Sequence, residues 1–141
     1  MEQPVVFLSV HEQWVDAILS GEKQYEYRKQ PPAIPPPYRL LLYATRGPSE
    51  VRGEAVVAET VKGDIEDVLT ETIAETPHKT EDIRGYFEGK TEATALRLSS
   101  VTPYETPITR PEIEQAIPDF TPPQNFRYVS ETEYKSLRAN L

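Results

Sequence analysis

The chain has 141 residues, 38% of them hydrophobic, and no cysteine, which allows one core and excludes disulfides and thiolate metal sites. Its net charge is −8, a poor footprint for tight, sequence-independent binding along long duplexes. No apolar run approaches a membrane span, and the opening MEQPVVFLSV is too short and too acidic for a signal peptide, so a soluble cytoplasmic protein is expected. The acidity is uneven. Residues 1–62 hold 7 basic and 8 acidic side chains, and residues 63–141 hold 8 and 15. That leaves room for a local basic cleft in the first half.

In chain order, residues 5–10 form an apolar, β-branched run that predicts a buried strand. Trp14, Val15, Ile18 and Leu19 then fall on one helical face, with Ser9 as the expected N-cap, Glu12 completing a capping box, and Gly21 as the helix-ending residue. Residues 23–28 read as a strand through their tyrosines. The run 30–37, QPPAIPPP, predicts an extended loop, and YRLLLYA at 38–44 a second buried strand. Another strand is expected over 51–61, where Gly53 marks a bulge or a close approach of ligand or backbone.

Residues 64–73 and 79–88 read as helices broken at Pro77, and 92–101 as a strand. Residues 102–123 hold Pro103, Pro107, Pro111, Pro118, Pro122 and Pro123 and read as loop, with a helical turn at 112–116. A last strand at 125–129 leads to Ser130-Glu131-Thr132-Glu133, a capping box for a terminal helix reaching toward Leu141. The expected architecture is α+β, a small and strongly curved mixed sheet or barrel with flanking helices. Residues 1–141 are expected to form one domain with a helical insertion at about 64–89.

The densest chemistry lies in GEKQYEYR, residues 21–28. Strand alternation puts Glu26 and Arg28 on one face and Tyr25 and Tyr27 on the other. Lys23 has the parity of the tyrosines, so it joins Glu26 only if it sits in the turn before regular pairing. From alternation alone, the bland alternative is a surface Glu–Arg pair contributing about 0–1 kcal/mol.

The spacing Gly-x-Lys-x-x-Glu-x-Arg, met here by Gly21, Lys23, Glu26 and Arg28, resembles the signature of the ASCH domain (ASC-1 homology) family. The segments LSVHEQWVDAILSGEK, VRGEAVVAETV and PPQNFRYV are similar to that family's opening strand and helix, its glycine-bearing strand and its closing segment. The resemblance covers roughly the whole chain and implies a PUA-like β-barrel. It also implies a cleft that takes RNA or a nucleobase-like ligand such as a modified nucleoside. In that cleft Lys23 would offer a cation, Glu26 would accept from exocyclic amines, and Arg28 would orient Glu26 or contact phosphate. Thr45, Gln124 and Arg127 are further polar candidates. Tyr25, Phe126 and Tyr128 are candidates for base stacking or for the core. Arg127 and Phe126 alternate, so only one of the two can face the cleft.

The resemblance leaves catalysis open. One branch of the family looks like an amidohydrolase acting on acetylated cytidine, and another has been described as a metal-dependent ribonuclease. The first uses the signature lysine but carries threonine where this chain has Glu26. If the chain is an enzyme, Lys23 and Glu26 are the expected acid–base pair. No cofactor and no metal site are expected, since His11 and His78 are far apart in sequence. His11 lies close to the expected cleft. Pro35-Pro36-Pro37-Tyr38 matches a short WW-domain ligand, or simply bridges two strands. The acidic stretch 64–88 is either a solvated insertion or the far wall of the cleft. A monomer is the default.

Overall fold

Val5–His11 forms the first strand, β1, with all but its last residue buried. It belongs to a computed structural model that describes residues 3–139 and 141; Met1, Glu2 and Asn140 lie outside the described residues. Helix α1 follows at Glu12–Ser20, then β2 at Tyr25–Tyr27, β3 at Tyr38–Thr45 and β4 at Glu50–Asp64. Helix α2 (Ile65–Thr72), a 3-10 turn at Ile73–Glu75 and helix α3 (Thr80–Tyr86) come next. The chain closes with β5 (Glu92–Thr109), α4 (Arg110–Ala116), β6 (Phe126–Val129) and α5 (Glu131–Arg138).

Among the described residues, six strands make one mixed sheet in the order β2-β5-β4-β3-β1-β6. β1 and β3 run parallel and every other pair is antiparallel. A parallel pair needs a crossover. Here α1, β2 and the proline-rich loop supply it. The sheet is not closed as the expected barrel would be: β2 and β6 are its two edges. Register shifts along the β4–β5 pair add bend and twist.

β1 and β3 are covered on both faces, which is why they read as continuous apolar runs. On one face Val6, Leu8, Leu40 and Leu42 pack under Val15 and Ile18 of α1. On the other, Val5, Phe7, Leu41 and Tyr43 pack under Ile113 of α4 and Leu137 of α5. A third cluster joins Tyr25 and Tyr27 of β2 to Val68, Leu69, Ile83 and Phe87 of the helical segment.

Several sequence expectations need correction. Ser9 does not cap α1; it pairs within β1, its Oγ donates to Pro123 O at 2.6 Å, and His11 is the N-cap without a side-chain bond. Glu12 instead accepts from Arg52 at 2.6 Å. Strand β5 runs on to Thr109, through Pro103 and Pro107. Its pairing with β4 is interrupted there, between Gly53 opposite Pro103 and Val51 opposite Ile108. Prolines are tolerated in a strand where the ladder is already broken. Tyr38 is buried in the first cluster, so the proline run bridges strands and does not offer the aromatic ring that a WW ligand needs. The Ser130–Glu133 capping box is present as expected, and its helix ends at Arg138. No helix among the described residues is long and apolar enough to cross a membrane.

Gly53 marks a close approach of protein to protein. A Cβ there would meet Leu19 Cδ2 and the Thr102 carbonyl oxygen, both at 2.7 Å. Gly53→Ala is expected to destabilise the fold by about 1–3 kcal/mol through overpacking, read as a lower denaturant midpoint at unchanged m-value.

Candidate functional site

Gly21 ends α1 with φ of 88°, a conformation that favours glycine. The next bonds fix the turn. The Gly21 N–H donates to Ile18 O at 3.1 Å, and the Lys23 N–H to Ala17 O at 3.0 Å. Regular pairing starts only at Tyr25. Lys23 therefore escapes strand parity and joins Glu26, with Nζ 3.4 Å from Glu26 Oε1.

Both groups are deeply buried: Lys23 is 2% exposed and Glu26 6%. The Arg28 Nε donates to Glu26 Oε2 at 2.8 Å. Its Nη1 donates to Asn125 Oδ1 and its Nη2 to the Ser9 carbonyl, each at 2.7 Å. The guanidinium is thus committed to the protein. Of its two expected roles, it fills the one of orienting Glu26.

The fourth member is His78, which the sequence reading set aside. Its Nε2 lies 2.7 Å from Lys23 Nζ. The ring meets Trp14 at 4.3 Å between centroids and Tyr27 edge-on at 5.8 Å. Burial and the Lys23 charge push its pKa down to about 4. The imidazole is therefore neutral near pH 7. With Lys23 as donor, Nε2 is assigned as the acceptor, which leaves the ring proton on Nδ1.

Burial likewise lowers the Lys23 ammonium, and Arg28 adds to that, while Glu26 opposes it. Burial alone would raise Glu26, but Lys23 and Arg28 hold it below the usual carboxylate range. Two cations around one carboxylate leave an excess of positive charge on the floor of a cleft.

The cleft has a volume of about 480 Å³. Ser9, His11 and Trp14 form its near wall, with Thr45 at the end of β3 and Gln124 just before β6. The far wall is His78, Asp82, Ile83 and Tyr86. The acidic helical stretch is thus a cleft wall, as one of the two readings had it. No group of three His, Asp or Glu side chains placed to hold a metal occurs among the described residues.

Five of the six expected binding residues, Lys23, Glu26, Arg28, Thr45 and Gln124, line the cleft. Arg127 does not. Phe126 packs against the first core cluster, so Arg127 takes the opposite face and pairs with Glu133 of α5 at 3.3 Å. The stacking candidates also fall elsewhere. Tyr25 is in the third core cluster, and Tyr128, 47% exposed, accepts from the Ala33 N–H outside the cleft. The aromatic rings that do line it are Trp14, Tyr27 and the partly exposed Tyr86. Trp14 read as core because it sits on the apolar stripe of α1. His78 carried no local signal beyond the helix break at Pro77.

Two measurements test this arrangement. Arg28→Ala strands a buried carboxylate beside a single lysine and should cost about 3–5 kcal/mol of stability in denaturant unfolding. Acid should also destabilise the fold in two stages. His78 titrates at about 4 when folded against 6.5 when free, so the unfolded chain gains the proton first and stability falls from pH 6.5 toward 4. Glu26 has a depressed folded pKa, so its contribution holds above 4.5 and is lost as pH drops further. In thermal scans across pH, His78→Gln should flatten the first stage and leave the second.

A family model described as "ASCH domain" matches residues 8–106. A protein from Zymomonas mobilis named "ASCH domain-containing ribonuclease" is 30% identical over 130 residues, covering 92% of this chain and 87% of its own. The crystal structure of ASCH from Zymomonas mobilis superposes with a TM-score of 0.90 at 29% identity, over 96% of this chain and 94% of that one. A hypothetical protein from Leishmania major, at 15% identity and a TM-score of 0.64 over 99% and 95% of the two chains, shares the fold alone. The α+β architecture is thus the PUA-like one, with an open sheet. The chain belongs to the ASCH domain family.

Proposed function

We propose that the protein acts on RNA and takes one nucleotide of a single strand into the cleft floored by Lys23, Glu26 and His78. The observation that carries this reading is the buried cation–carboxylate–cation arrangement facing a cavity of about 480 Å³. That volume suits a single nucleotide, and a duplex would meet an acidic body. Lys23 offers a charged donor, Glu26 accepts from an exocyclic amine, and Thr45 and Gln124 add polar contacts at the rim. Trp14 and Tyr86 offer faces for stacking, a contact contributing about 1–3 kcal/mol per base. The relative named as a ribonuclease supports RNA as the ligand class. This reading treats residues 1–141 as one cytoplasmic, monomeric domain with its insertion at about 64–89 serving as the wall.

A second reading, hydrolysis, is favoured by the Lys23–His78 contact. An ammonium of lowered pKa 2.7 Å from a neutral imidazole is a pair across which a proton can move. With Glu26 beside it, the floor could then cleave an RNA phosphodiester or an acyl group on a modified nucleoside such as acetylated cytidine.

Anisotropy titration with a short single-stranded oligoribonucleotide, paired with a gel assay for cleavage, tests both. Lys23→Ala and Glu26→Ala, shown folded by circular dichroism, should each weaken binding roughly tenfold or more. Cleavage that vanishes in Lys23→Ala while binding persists would favour hydrolysis. Variants that match the parent in both binding and cleavage would sink the assignment of this cleft.

A further inference from the structure

The chain has 15 lysines and arginines against 23 acidic side chains, so partners for a cation are abundant. Among the described residues all the cations but Lys29, Arg46, Lys79 and Lys90 have a carboxylate within 4.0 Å. Three of these exceptions immediately follow residues that line the cleft. Lys29 follows Arg28, Arg46 follows Thr45, and Lys79 follows His78. All three are exposed.

Each is also placed at some local disadvantage or by a cleft residue. Lys29 has its Nζ 4.7 Å from the centre of the Tyr86 ring, and its backbone N–H donates to the Tyr86 hydroxyl at 3.4 Å. A wall residue of the cleft, in place of a carboxylate, fixes this cation at the mouth. Arg46 has φ of 58°, a region that side-chain-bearing residues seldom adopt. The next residue, Gly47, sits so close to Glu12 that a Cβ would lie 2.2 Å from its Oε2, so the turn is pinned against α1. Lys79 is the N-cap of α3, where the helix dipole disfavours a cation. Three exposed cations with no carboxylate within 4.0 Å, each next in the chain to a cleft-lining residue and on a chain of net charge −8, point to an anionic partner from outside.

We propose that Lys29, Arg46 and Lys79 form a rim that holds backbone phosphates on either side of the nucleotide in the cleft. The ligand is then a single strand of several nucleotides, not a free nucleoside. The inference rests on the RNA reading above and extends it from the floor of the site to its edge.

Salt dependence separates the two levels. Binding of a short single-stranded oligoribonucleotide and of a nucleoside monophosphate is measured over a range of salt for the parent, Lys29→Ala, Arg46→Asn, Lys79→Ala and the triple variant. Asparagine is used at position 46 because it tolerates positive φ. Each substitution should make the slope of log K against log salt shallower by about 0.7, and the triple by about 2. Monophosphate affinity should not change. Arg110→Gln, on the α4 side of the sheet, should leave the slope as in the parent. Slopes unchanged in the rim variants, or a monophosphate bound as tightly as the oligomer, would overturn the rim while leaving the cleft reading standing. A parent that binds no RNA at all would overturn both.

Discussion

The Arg28 guanidinium ties together the two free edges of the sheet. Its own backbone N–H donates to Thr94 O on β5, the neighbour of edge strand β2. Its side chain crosses to Ser9 O on β1 and to Asn125 Oδ1, one residue before the other edge strand, β6. Asn125 Nδ2 in turn donates to Gln30 O, which locks the chain just past β2 against the same place. A seam that strand pairing leaves open is thus bridged by one planar, five-donor group. That bridge also places Glu26, since the same guanidinium supplies its partner at 2.8 Å. Lys23 and His78 then follow in a chain of contacts. Holding the sheet edges together and building the floor of the cleft are one interaction.

A second buried glutamate shows what a purely structural version looks like. Glu54 on β4 is 2% exposed. It is bonded to Arg39, to Arg138 at 3.1 Å, and to the hydroxyls of Tyr104 and Tyr134. Burial and the Glu54 charge push the Tyr104 hydroxyl up, which keeps it a donor. These partners come from β3, β5 and α5, so the carboxylate docks the C-terminal helix on the sheet. Its oxygens are saturated by four groups. Glu26 has two cations and a cavity beside it. The same residue type is inert in one place and available in the other because of what its remaining lone pairs face.

The local part of this was readable from the chain. Gly21, Lys23, Glu26 and Arg28 are close in sequence, and a helix end followed by a short strand brings them together by geometry alone. β1, β3 and the α5 capping box were legible for the same reason. The long-range part was not. His78 meets Lys23 across 55 residues, and Asn125 meets Arg28 across 97. Nothing in the periodicity of either segment announces those meetings. Prolines misled at β5, because a bulged ladder tolerates them at Pro103 and Pro107. Alternation correctly said that Arg127 and Phe126 oppose each other, but only the packing of Phe126 shows that Arg127 turns toward Glu133.

The two walls of the cleft belong to different hydrophobic clusters. Trp14 packs on the cluster beneath α1, while Ile83 belongs to the one that joins β2 to α2 and α3. Contacts that span the gap include the Trp14–His78 ring pair, the Lys23–His78 bond and the Lys23 Nζ over the Trp14 and Tyr27 rings. The second of these clusters also holds α2 and α3 to Tyr25 and Tyr27 of β2 and to Ala93 and Ala95 of β5, so the far wall is anchored in the sheet. The cleft is therefore set by two separately packed cores that meet at one imidazole, and its width changes only if one of those cores repacks.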